Sequence, residues 1–396
     1  MNRSQYNQNF TQILAELNVK QREAVEHIDG PVLVVAGPGT GKTHILSARI
    51  GQILTLTDIY AHNILCLTYT DAGVHAMRER LLSFIGPEAH KVHIYTFHSF
   101  CNKIIQDNLD WFGKRDAEPI SDLEKVELIR DMIDDLENNH VLKKLKGDPY
   151  LYERQLSSLF SNMKAESWTV QYIQKQVKDY LENLSTRAEY IYKRNGKNFK
   201  KGQVKQHLID AETEKMERLA AAVALFPVFS KKMSDRKRYD FGDMIQWILD
   251  AFKKNNYLLR RYQEQYLYVL VDEFQDTNGA QNQILKFLSS YWEQPNIFAV
   301  GDDDQSIYEF QGARVKNIMD FHNQYEDVKL VVLNENYRSS QNILDGASSL
   351  IDRNKIRLVN EINEIDKVDS QHNGQLVQRD QHAPQLRRCN LGNIQG

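Results

Sequence analysis

The sequence has too little of several features that mark particular classes of protein. Only three cysteines occur among its 396 residues, at positions 66, 101 and 389, which excludes a disulfide framework and a cysteine-based zinc cluster. No run of 18 apolar residues occurs and the first residues are polar, so we expect neither a membrane span nor secretion. Charge of one sign is not in excess, since 50 Lys and Arg stand against 53 Asp and Glu. That balance excludes a generally polybasic binder but leaves room for a local basic groove.

The remaining composition is ordinary for a globular protein of two or three domains, with 41% hydrophobic residues. Short β-branched runs, each leading towards a helix-compatible stretch, predict a parallel α/β sheet. They are Val32–Val35, Ile64–Thr68, Val92–Thr96, Tyr268–Asp272, Ile297–Gly301 and Leu330–Leu333. Between Cys101 and about Phe226 this pattern gives way to charged amphipathic stretches, which predict a mostly helical insertion.

The strongest local pattern follows the first predicted strand and has the glycine-rich form of a Walker A phosphate loop. Its residues are Ala36, Gly37, Pro38, Gly39, Thr40, Gly41, Lys42 and Thr43. The glycines let backbone N–H groups and the following helix N-terminus point at phosphate oxygens. Lys42 would reach the β- and γ-phosphates and the Thr43 hydroxyl would ligate Mg²⁺. Ala36 replaces the first glycine of the strict pattern, a change that some P-loop families tolerate.

A pair of carboxylates follows the fourth predicted strand. Asp272 and Glu273 stand at its C-terminal end, where open α/β sheets bind their ligands. Asp272 would hold Mg²⁺ and Glu273 would orient and deprotonate the attacking water, which indicates a hydrolase. After the next strand, Gln305 follows an acidic loop and would sense the γ-phosphate; by itself this loop indicates nothing more than solvated acids.

The order of motifs resembles that of superfamily-1 DNA helicases of the UvrD/Rep/PcrA type, over nearly the whole chain up to about residue 360. The matching segments are Leu17–Val25, Ala36–Thr43, Leu67–Thr70 with Met77–Arg80, Thr96–Phe100, Asp240–Met244, Val271–Asp276, Val300–Tyr308 and Asn336–Ser339. The resemblance implies a P-loop NTPase (RecA-like) α/β fold. Residues 1–105 and 226–312 would form the ATP-binding domain 1A, and residues 106–225 the helical insertion 1B. Residues 313–396 would begin a second RecA-like domain, 2A.

The resemblance also assigns roles around ATP. Gln21 would read the adenine edge, Tyr337 would stack on the adenine, and Arg338 would reach the γ-phosphate from the second domain. Each role suits its side chain, because an amide pairs with adenine, a phenol ring offers a π face and a guanidinium neutralises charge. Without the family, Gln21 is better interpreted as a solvated helix residue.

Single-stranded DNA would run over the tops of the two RecA-like domains. Tyr69, His98 and Phe310 would stack on bases, with Thr68 and Thr96 near the phosphates; taken singly, such aromatics are more often core residues. Two departures from the family pattern stand out. Residues 70–74 lack the lysine that the family usually has there. Residues 309–313 have Phe310 and Gln311 where the family usually has Trp and Arg. We therefore expect the affinity for the DNA strand, or the coupling of ATP hydrolysis to DNA, to differ from that of better-known relatives.

A basic segment lies within the expected insertion. Residues 190–209 contain no acid and carry Lys197, Lys200 and Lys201 among other cations, interleaved with aromatics. They would contact a duplex ahead of the motor, where phosphate contacts release counterions. The alternative is a solvated connection between helices, and the sequence does not decide between the two.

The end of the chain differs from the rest, because no aromatic follows Tyr337 and residues 371–396 contain six glutamines. Nothing there resembles the family's motifs V and VI. We therefore expect an incomplete motor, either a fragment or a chain whose reading frame is disturbed near the end. Since an absent arginine finger lowers phosphoryl-transfer rates by about 10³–10⁵, the chain would bind nucleotide but hydrolyse it weakly.

The resemblance implies an ATP-dependent DNA helicase or translocase with ATP and Mg²⁺ as cofactors. It would move 3′ to 5′ on single-stranded DNA, bind junctions of single strand and duplex, and work in repair, replication or recombination in a bacterial cytoplasm, at the nucleoid. Protein partners are not identified by the sequence. The alternative is a nucleotide-regulated DNA-binding subunit that does not unwind, although the intact Lys42, Glu273 and Arg338 argue against a degenerate motor. A kinase or GTPase would need base-specificity residues that are not found.

Overall fold

The computed structural model describes residues 3–143, 147–196, 198–302, 304, 315–325, 327–351 and 377–378. The strands are β1 Val32–Ala36, β2 Ile64–Thr68, β3 His93–Thr96, β4 Glu118–Pro119, β5 Arg238–Tyr239, β6 Tyr268–Val271, β7 Ile297–Gly301, β8 Lys329–Leu333, β9 Glu335–Asn336 and β10 Val377–Gln378. The helices are α1 Arg3–Glu16, α2 Val19–Glu26, α3 Lys42–Leu56, α4 Asp71–Ile85, α5 Phe97–Asp107, α6 Leu109–Phe112, α7 Asp122–Asp134, α8 Glu153–Ala165, α9 Val170–Glu182, α10 Gln206–Ala224, α11 Phe226–Asp235, α12 Phe241–Lys254, α13 Asn256–Gln265, α14 Gly279–Ser289, α15 Val315–Gln324 and α16 Gln341–Ile351. None of the helices in these ranges is both long enough and apolar enough to cross a membrane.

The chain divides into two compact units. The sheet unit comprises 1–96, 260–277 and 288–396, and the helical unit comprises 97–259 and 278–287. The helical unit contains more of the chain than the expected insertion at 106–225. It also includes α5 and α12, which pack on each other, and α12 packs on α8 as well. The assignment of these parts to domains 1A and 1B remains a prediction.

Six parallel strands in the order β3-β2-β6-β7-β1-β8 form the sheet unit. Their apolar β-branched residues are buried on both faces, as is usual when helices cover a parallel sheet. The predicted parallel α/β fold is confirmed. β8 belongs to the same sheet, because Leu330 and Val331 pair with Leu33 and Val34 of β1. The start of a second RecA-like domain at residue 313 stays a prediction.

The sheet places its polar residues along one edge. Because all six strands are parallel, the segments that follow β1, β2, β3, β6, β7 and β8 leave the sheet at the same side. The phosphate loop, Thr68, Thr96, Asp272, Asp302 and Asn336 stand at these C-terminal ends. Residues separated by up to 300 positions in sequence thereby meet at one edge.

The helical unit has its own hydrophobic core. Phe160 of α8 and Phe229 of α11 are fully buried, with their ring centroids 4.8 Å apart. Its helices begin at well-formed caps: the Ser121 side chain accepts a hydrogen bond from the Glu124 N–H at the start of α7, and Asp240 does the same for Asp243 at the start of α12. A short parallel pair, β4 with β5, joins segments 120 residues apart in sequence.

Candidate functional site

The phosphate loop lies between β1 and α3. Gly39 and Gly41 have φ angles of +77° and +94°, in the left-handed region that favours glycine. Thr40 is buried and its hydroxyl donates to the Gly37 carbonyl at 2.8 Å, which fixes the turn. Among the described residues no side chain caps the N-terminus of α3, and a helix N-terminus is a position where backbone N–H groups can bind an anion.

Lys42 and Glu273 form an ion pair at this edge of the sheet. The Lys42 Nζ atom lies 2.8 Å from Glu273 Oε2, and the Lys42 side chain is only 10% exposed. Glu273 has a φ of +49°, an uncommon conformation for a residue with a side chain, and such residues tend to cluster at active sites. The two residues are 231 positions apart in sequence, and the fold brings them into direct contact.

Asp272 is a buried carboxylate beside that pair. Burial raises the pKa of Asp272 to about 7, with Glu273 adding to the rise and Lys42 opposing it. Burial and Glu273 also raise the pKa of Asp276 to about 6, and Asp276 Oδ1 has no hydrogen-bond partner among the residues that the structure describes. A cation beside these carboxylates would favour their ionised forms.

These residues fit a magnesium ion bound together with a phosphate. The described residues contain no cluster of three or more Asp, Glu, His or Cys side chains that would hold a metal alone. Mg²⁺ is usually held by one or two protein oxygens, with phosphate and water completing its coordination. Asp272 and the Thr43 hydroxyl, in the first turn of α3, supply such oxygens.

Gln275 connects the ends of two neighbouring strands, a role that the sequence did not reveal. Its Nε2 donates to Glu273 Oε2 at 2.8 Å, and its Oε1 accepts from the Asp302 N–H at 3.0 Å. It is 1% exposed, so both amide atoms are held in place. The predicted γ-phosphate sensor Gln305 lies outside the described residues.

Gln21 is buried rather than solvated, so its interpretation as a surface helix residue was wrong. It is the third residue of α2, where it forms a capping box with Asn18. Its Nε2 also donates to the Thr40 carbonyl at 2.9 Å, which ties α2 to the phosphate loop. Its contact with adenine remains a prediction, although it stands beside the loop where the nucleotide would bind.

The segment after β8 forms hydrogen bonds with the phosphate loop. Asn336 is fully buried; its Nδ2 donates to the Pro38 carbonyl and its Oδ1 accepts from the N–H groups of Arg338 and Ser339. The Tyr337 N–H donates to the Gly39 carbonyl at 3.0 Å. A Cβ atom on Gly39 would lie 2.7 Å from the Arg338 Cβ, which is a second reason for glycine there. Tyr337 and Arg338 are exposed, follow directly after Asn336 and fall within the sheet unit; their place in a second RecA-like domain stays a prediction.

The residues expected to contact DNA in the sheet unit are less exposed than their roles suggest. Thr68 and Thr96 face each other across the β2–β3 pair and are 3% and 8% exposed. Tyr69, directly after β2, is half-buried. Phe310 lies outside the described residues, and so does Lys197 of the helical unit.

In the helical unit, His98 is paired with an aromatic that the sequence analysis did not single out. The ring of Phe241, which is 65% exposed, lies 5.5 Å from the His98 ring. Burial lowers the pKa of His98 although Asp240 opposes this, so the imidazole is neutral at pH 7. A cleft of about 360 Å³ that both rings line also reaches Lys125 and Asn278. The sequence signal that would have identified Phe241 is its position as the first residue of a helix, directly after the capping residue Asp240.

Comparison with known proteins agrees with this geometry. Residues 17–326 match the model of the UvrD/REP helicase N-terminal domain. The chain is 30% identical over 346 residues to the ATP-dependent DNA helicase PcrA of Staphylococcus aureus strain COL, covering 87% of this chain and 41% of that protein. The PcrA of Staphylococcus epidermidis strain ATCC 12228 is 30% identical over 347 residues with the same coverage. The chain thus spans about two fifths of the length of these curated relatives.

Proposed function

The chain belongs to the UvrD/REP helicase family, and from that premise we propose that it works as an ATP-dependent DNA helicase or translocase. It couples ATP hydrolysis to movement along single-stranded DNA, in the 3′ to 5′ direction, during repair, replication or recombination. The relatives are named ATP-dependent DNA helicases, which supports this assignment; as a protein acting on DNA in a bacterium, it would work at the nucleoid.

The observation that carries the proposal is the Lys42–Glu273 pair next to the buried Asp272. Lys42 neutralises phosphate charge, and Glu273 accepts the proton of the attacking water. The 2.8 Å ion pair means that each group can compensate the other's charge until a triphosphate competes for Lys42. Binding of the triphosphate therefore frees the Glu273 carboxylate to act as a base.

Mg²⁺ would be held by Asp272 and Thr43, where it would neutralise charge on the β- and γ-phosphates. Gln21 and Tyr337 would flank the adenine, and Arg338 would reach the γ-phosphate. The contacts of Gln21 with Thr40, and of Tyr337 with Gly39, support this because both residues are already anchored to the phosphate loop.

In this proposal the sheet unit is the RecA-like domain and the helical unit contains the family's insertion, with the segment after β9 leading to a second RecA-like domain. Tyr69 and His98 would stack on bases, and we add Phe241 because it is the most exposed aromatic beside His98. Stacking is worth about 1–3 kcal/mol per base and suits every base, as a sequence-independent motor requires.

The test is ATP hydrolysis measured with and without a single-stranded oligonucleotide. We expect the strand to stimulate hydrolysis by the wild-type chain, and Glu273→Gln to lower the rate by about 10²–10⁴ while keeping nucleotide binding. Lys42→Ala should weaken both binding and hydrolysis. The controls are Lys91→Ala and Glu88→Gln. They break an exposed ion pair with a similar N···O distance, 2.9 Å, and should leave the rate of hydrolysis unchanged.

Hydrolysis that single strands do not stimulate would favour the nucleotide-regulated DNA-binding subunit instead. Equal rates for Glu273→Gln and the Glu88→Gln control would contradict the role given to Glu273.

A further inference from the structure

Asn18, the residue before α2, uses its side chain for two contacts in different directions. Its Oδ1 accepts a hydrogen bond from the Gln21 N–H at 2.7 Å, which caps the helix. Its Nδ2 donates to the Tyr337 hydroxyl at 2.8 Å, although the two residues are 319 positions apart in sequence. Asn18 is only 8% exposed. One buried amide thus joins the start of α2 to the segment after β9.

The capping contact decides the direction of the second contact. A backbone N–H can only donate, so the amide oxygen of Asn18 faces Gln21 and the amide nitrogen faces the Tyr337 hydroxyl. The hydroxyl therefore accepts from Asn18 and donates its own proton to Glu335 Oε2 at 3.0 Å. Among the residues that commonly cap helices, aspartate has no donor and serine has one oxygen for both tasks. Asparagine is therefore the residue type that suits both contacts at once.

The Tyr337 side chain is held at both of its ends. The backbone N–H of Tyr337 donates to the Gly39 carbonyl of the phosphate loop at 3.0 Å, and its hydroxyl is bonded to Asn18 and Glu335. A ring that is fixed at its backbone and at its hydroxyl has little freedom to change rotamer. Tyr337 is nevertheless 44% exposed, so part of the ring remains open to a ligand.

The same asparagine also holds Gln21, the other residue expected at the adenine. The Asn18 N–H donates to Gln21 Oε1 at 3.2 Å, and Gln21 Nε2 donates to the Thr40 carbonyl at 2.9 Å. Gln21 and Tyr337 are therefore each bonded to Asn18 and to the phosphate loop. These bonds fix both residues relative to the loop where the phosphates would bind.

We propose that Asn18 is a positioning residue for the base of the nucleotide. It fixes the Tyr337 ring beside the phosphate loop before the nucleotide arrives, and so favours a nucleoside triphosphate over an inorganic triphosphate. This rests on the proposed function, in which the adenine stacks on Tyr337. Ordering a side chain during binding costs affinity, so a ring that is already ordered binds its ligand more tightly.

Asn18→Ser separates the two contacts of the asparagine. Serine caps helices about as well as asparagine, so the bond with the Gln21 N–H is kept while the donor to Tyr337 is lost. Tyr337→Phe removes the same hydrogen bond from the other side and keeps an aromatic ring. Asn255→Ser is the matched control in the helical unit, because Asn255 Oδ1 accepts from the Leu258 N–H at 3.0 Å at the start of α13.

Affinity is measured by calorimetric titration with two ligands, each in the presence of Mg²⁺. One is a non-hydrolysable ATP analogue and the other is inorganic triphosphate. The two ligands share a chain of three phosphates, and only the analogue carries a nucleoside. The ratio of the two dissociation constants therefore isolates the contribution of the nucleoside. A general disturbance of the phosphate loop would weaken both ligands and leave this ratio unchanged.

We expect the wild-type chain to bind the analogue more tightly than triphosphate. Asn18→Ser and Tyr337→Phe should each weaken binding of the analogue about three- to tenfold, the cost of ordering one side chain, and leave triphosphate within about twofold of wild type. The double variant should lose no more than the larger single loss, because both substitutions remove one and the same hydrogen bond. Asn255→Ser should leave both affinities unchanged.

Three results would overturn the inference: an unchanged affinity of Asn18→Ser for the analogue, an equal loss of affinity for both ligands, or single losses that add up in the double variant. Tyr337→Phe provides an independent reading if circular dichroism shows that Asn18→Ser is unfolded. A wild-type chain that bound the analogue no more tightly than triphosphate would instead refute the nucleotide site of the proposed function, so the two failures are distinct.

Discussion

Replacing Lys164 by Met should strongly destabilise the helical unit. Lys164 is 3% exposed, and its Nζ lies 2.9 Å from Asp240 Oδ2 and 2.7 Å from Asp243 Oδ1. Both carboxylates are about four-fifths buried as side chains, and both belong to the capping box of α12. Without the lysine, two negative charges would face each other with little water to screen them.

The expected loss follows from what remains at the site. Removing one partner of a buried ion pair costs about 3–5 kcal/mol, because the other charge stays buried without compensation. Lys125, 3.6 Å from Asp240, partly replaces the lost charge. We therefore expect a loss near the lower limit, about 3 kcal/mol in the free energy of unfolding.

Urea unfolding followed by tryptophan fluorescence reports on this unit, since Trp111, Trp168 and Trp247, three of the four tryptophans, lie in it. Lys178→Met is the matched control, because Lys178 is 75% exposed in its 3.8 Å pair with Glu182 and should lose under about 0.5 kcal/mol. Equal effects of the two substitutions would refute the reasoning. Adding Asp240→Asn and Asp243→Asn to Lys164→Met should recover much of the loss.

The loss of stability caused by Lys164→Met should also be smaller at acidic pH. In the wild-type chain, burial would raise the pKa of Asp240, but Lys164 holds it below its ordinary value; burial raises the pKa of Asp243 in spite of Lys164. The stability due to Asp240 is thus lost as pH falls through its lowered pKa, whereas the penalty at Asp243 is relieved. Without Lys164 both carboxyls take up protons more readily, so the variant's deficit should decrease from pH 7 towards roughly pH 4.

Three further substitutions test the sheet unit. Gly39→Ala should lower nucleotide affinity at least tenfold in an equilibrium titration, since the new Cβ would lie 2.7 Å from the Arg338 Cβ. Gly30→Ala is the control and should leave the affinity unchanged, because Gly30 has the same φ of +77° but a Cβ there would have nothing within 4 Å. Asn336→Ala leaves the Pro38 carbonyl without its donor and should cost about 1–3 kcal/mol of nucleotide binding, measured in the same titration. Arg49→Met leaves three carbonyls at the end of α2 without their donor and should speed hydrogen exchange of the α2 amides; unchanged exchange would contradict this role.

Much of the sheet was predictable because its strands are apolar on both faces. The runs Ile64–Thr68 and Ile297–Gly301 coincide with β2 and β7, and the other predicted runs differ from their strands by one residue at an end. The phosphate loop and the carboxylates after β6 were also located correctly in the fold, since their positions depend only on strand, turn and helix order.

What escaped the sequence analysis depends on contacts between distant segments. Gln275 and Asn336 are ordinary polar residues until the fold places Glu273 and Pro38 beside them. β4 and β5 have two residues each and no apolar pattern, so nothing local indicated their pairing. The basic segment was left open between a contact and a loose connection, because the stacking of Tyr192 on Phe199 cannot be inferred from spacing alone.

The most direct measurement is the affinity for a non-hydrolysable ATP analogue with Mg²⁺, with and without a saturating single-stranded oligonucleotide. Coupled sites change each other's affinity by typically fivefold or more, about 1 kcal/mol, and the change is reciprocal. We expect such a difference for the wild-type chain and none for Lys42→Ala. Equal affinities in the wild type, or a difference that persists without Lys42, would contradict a nucleotide site that is coupled to DNA.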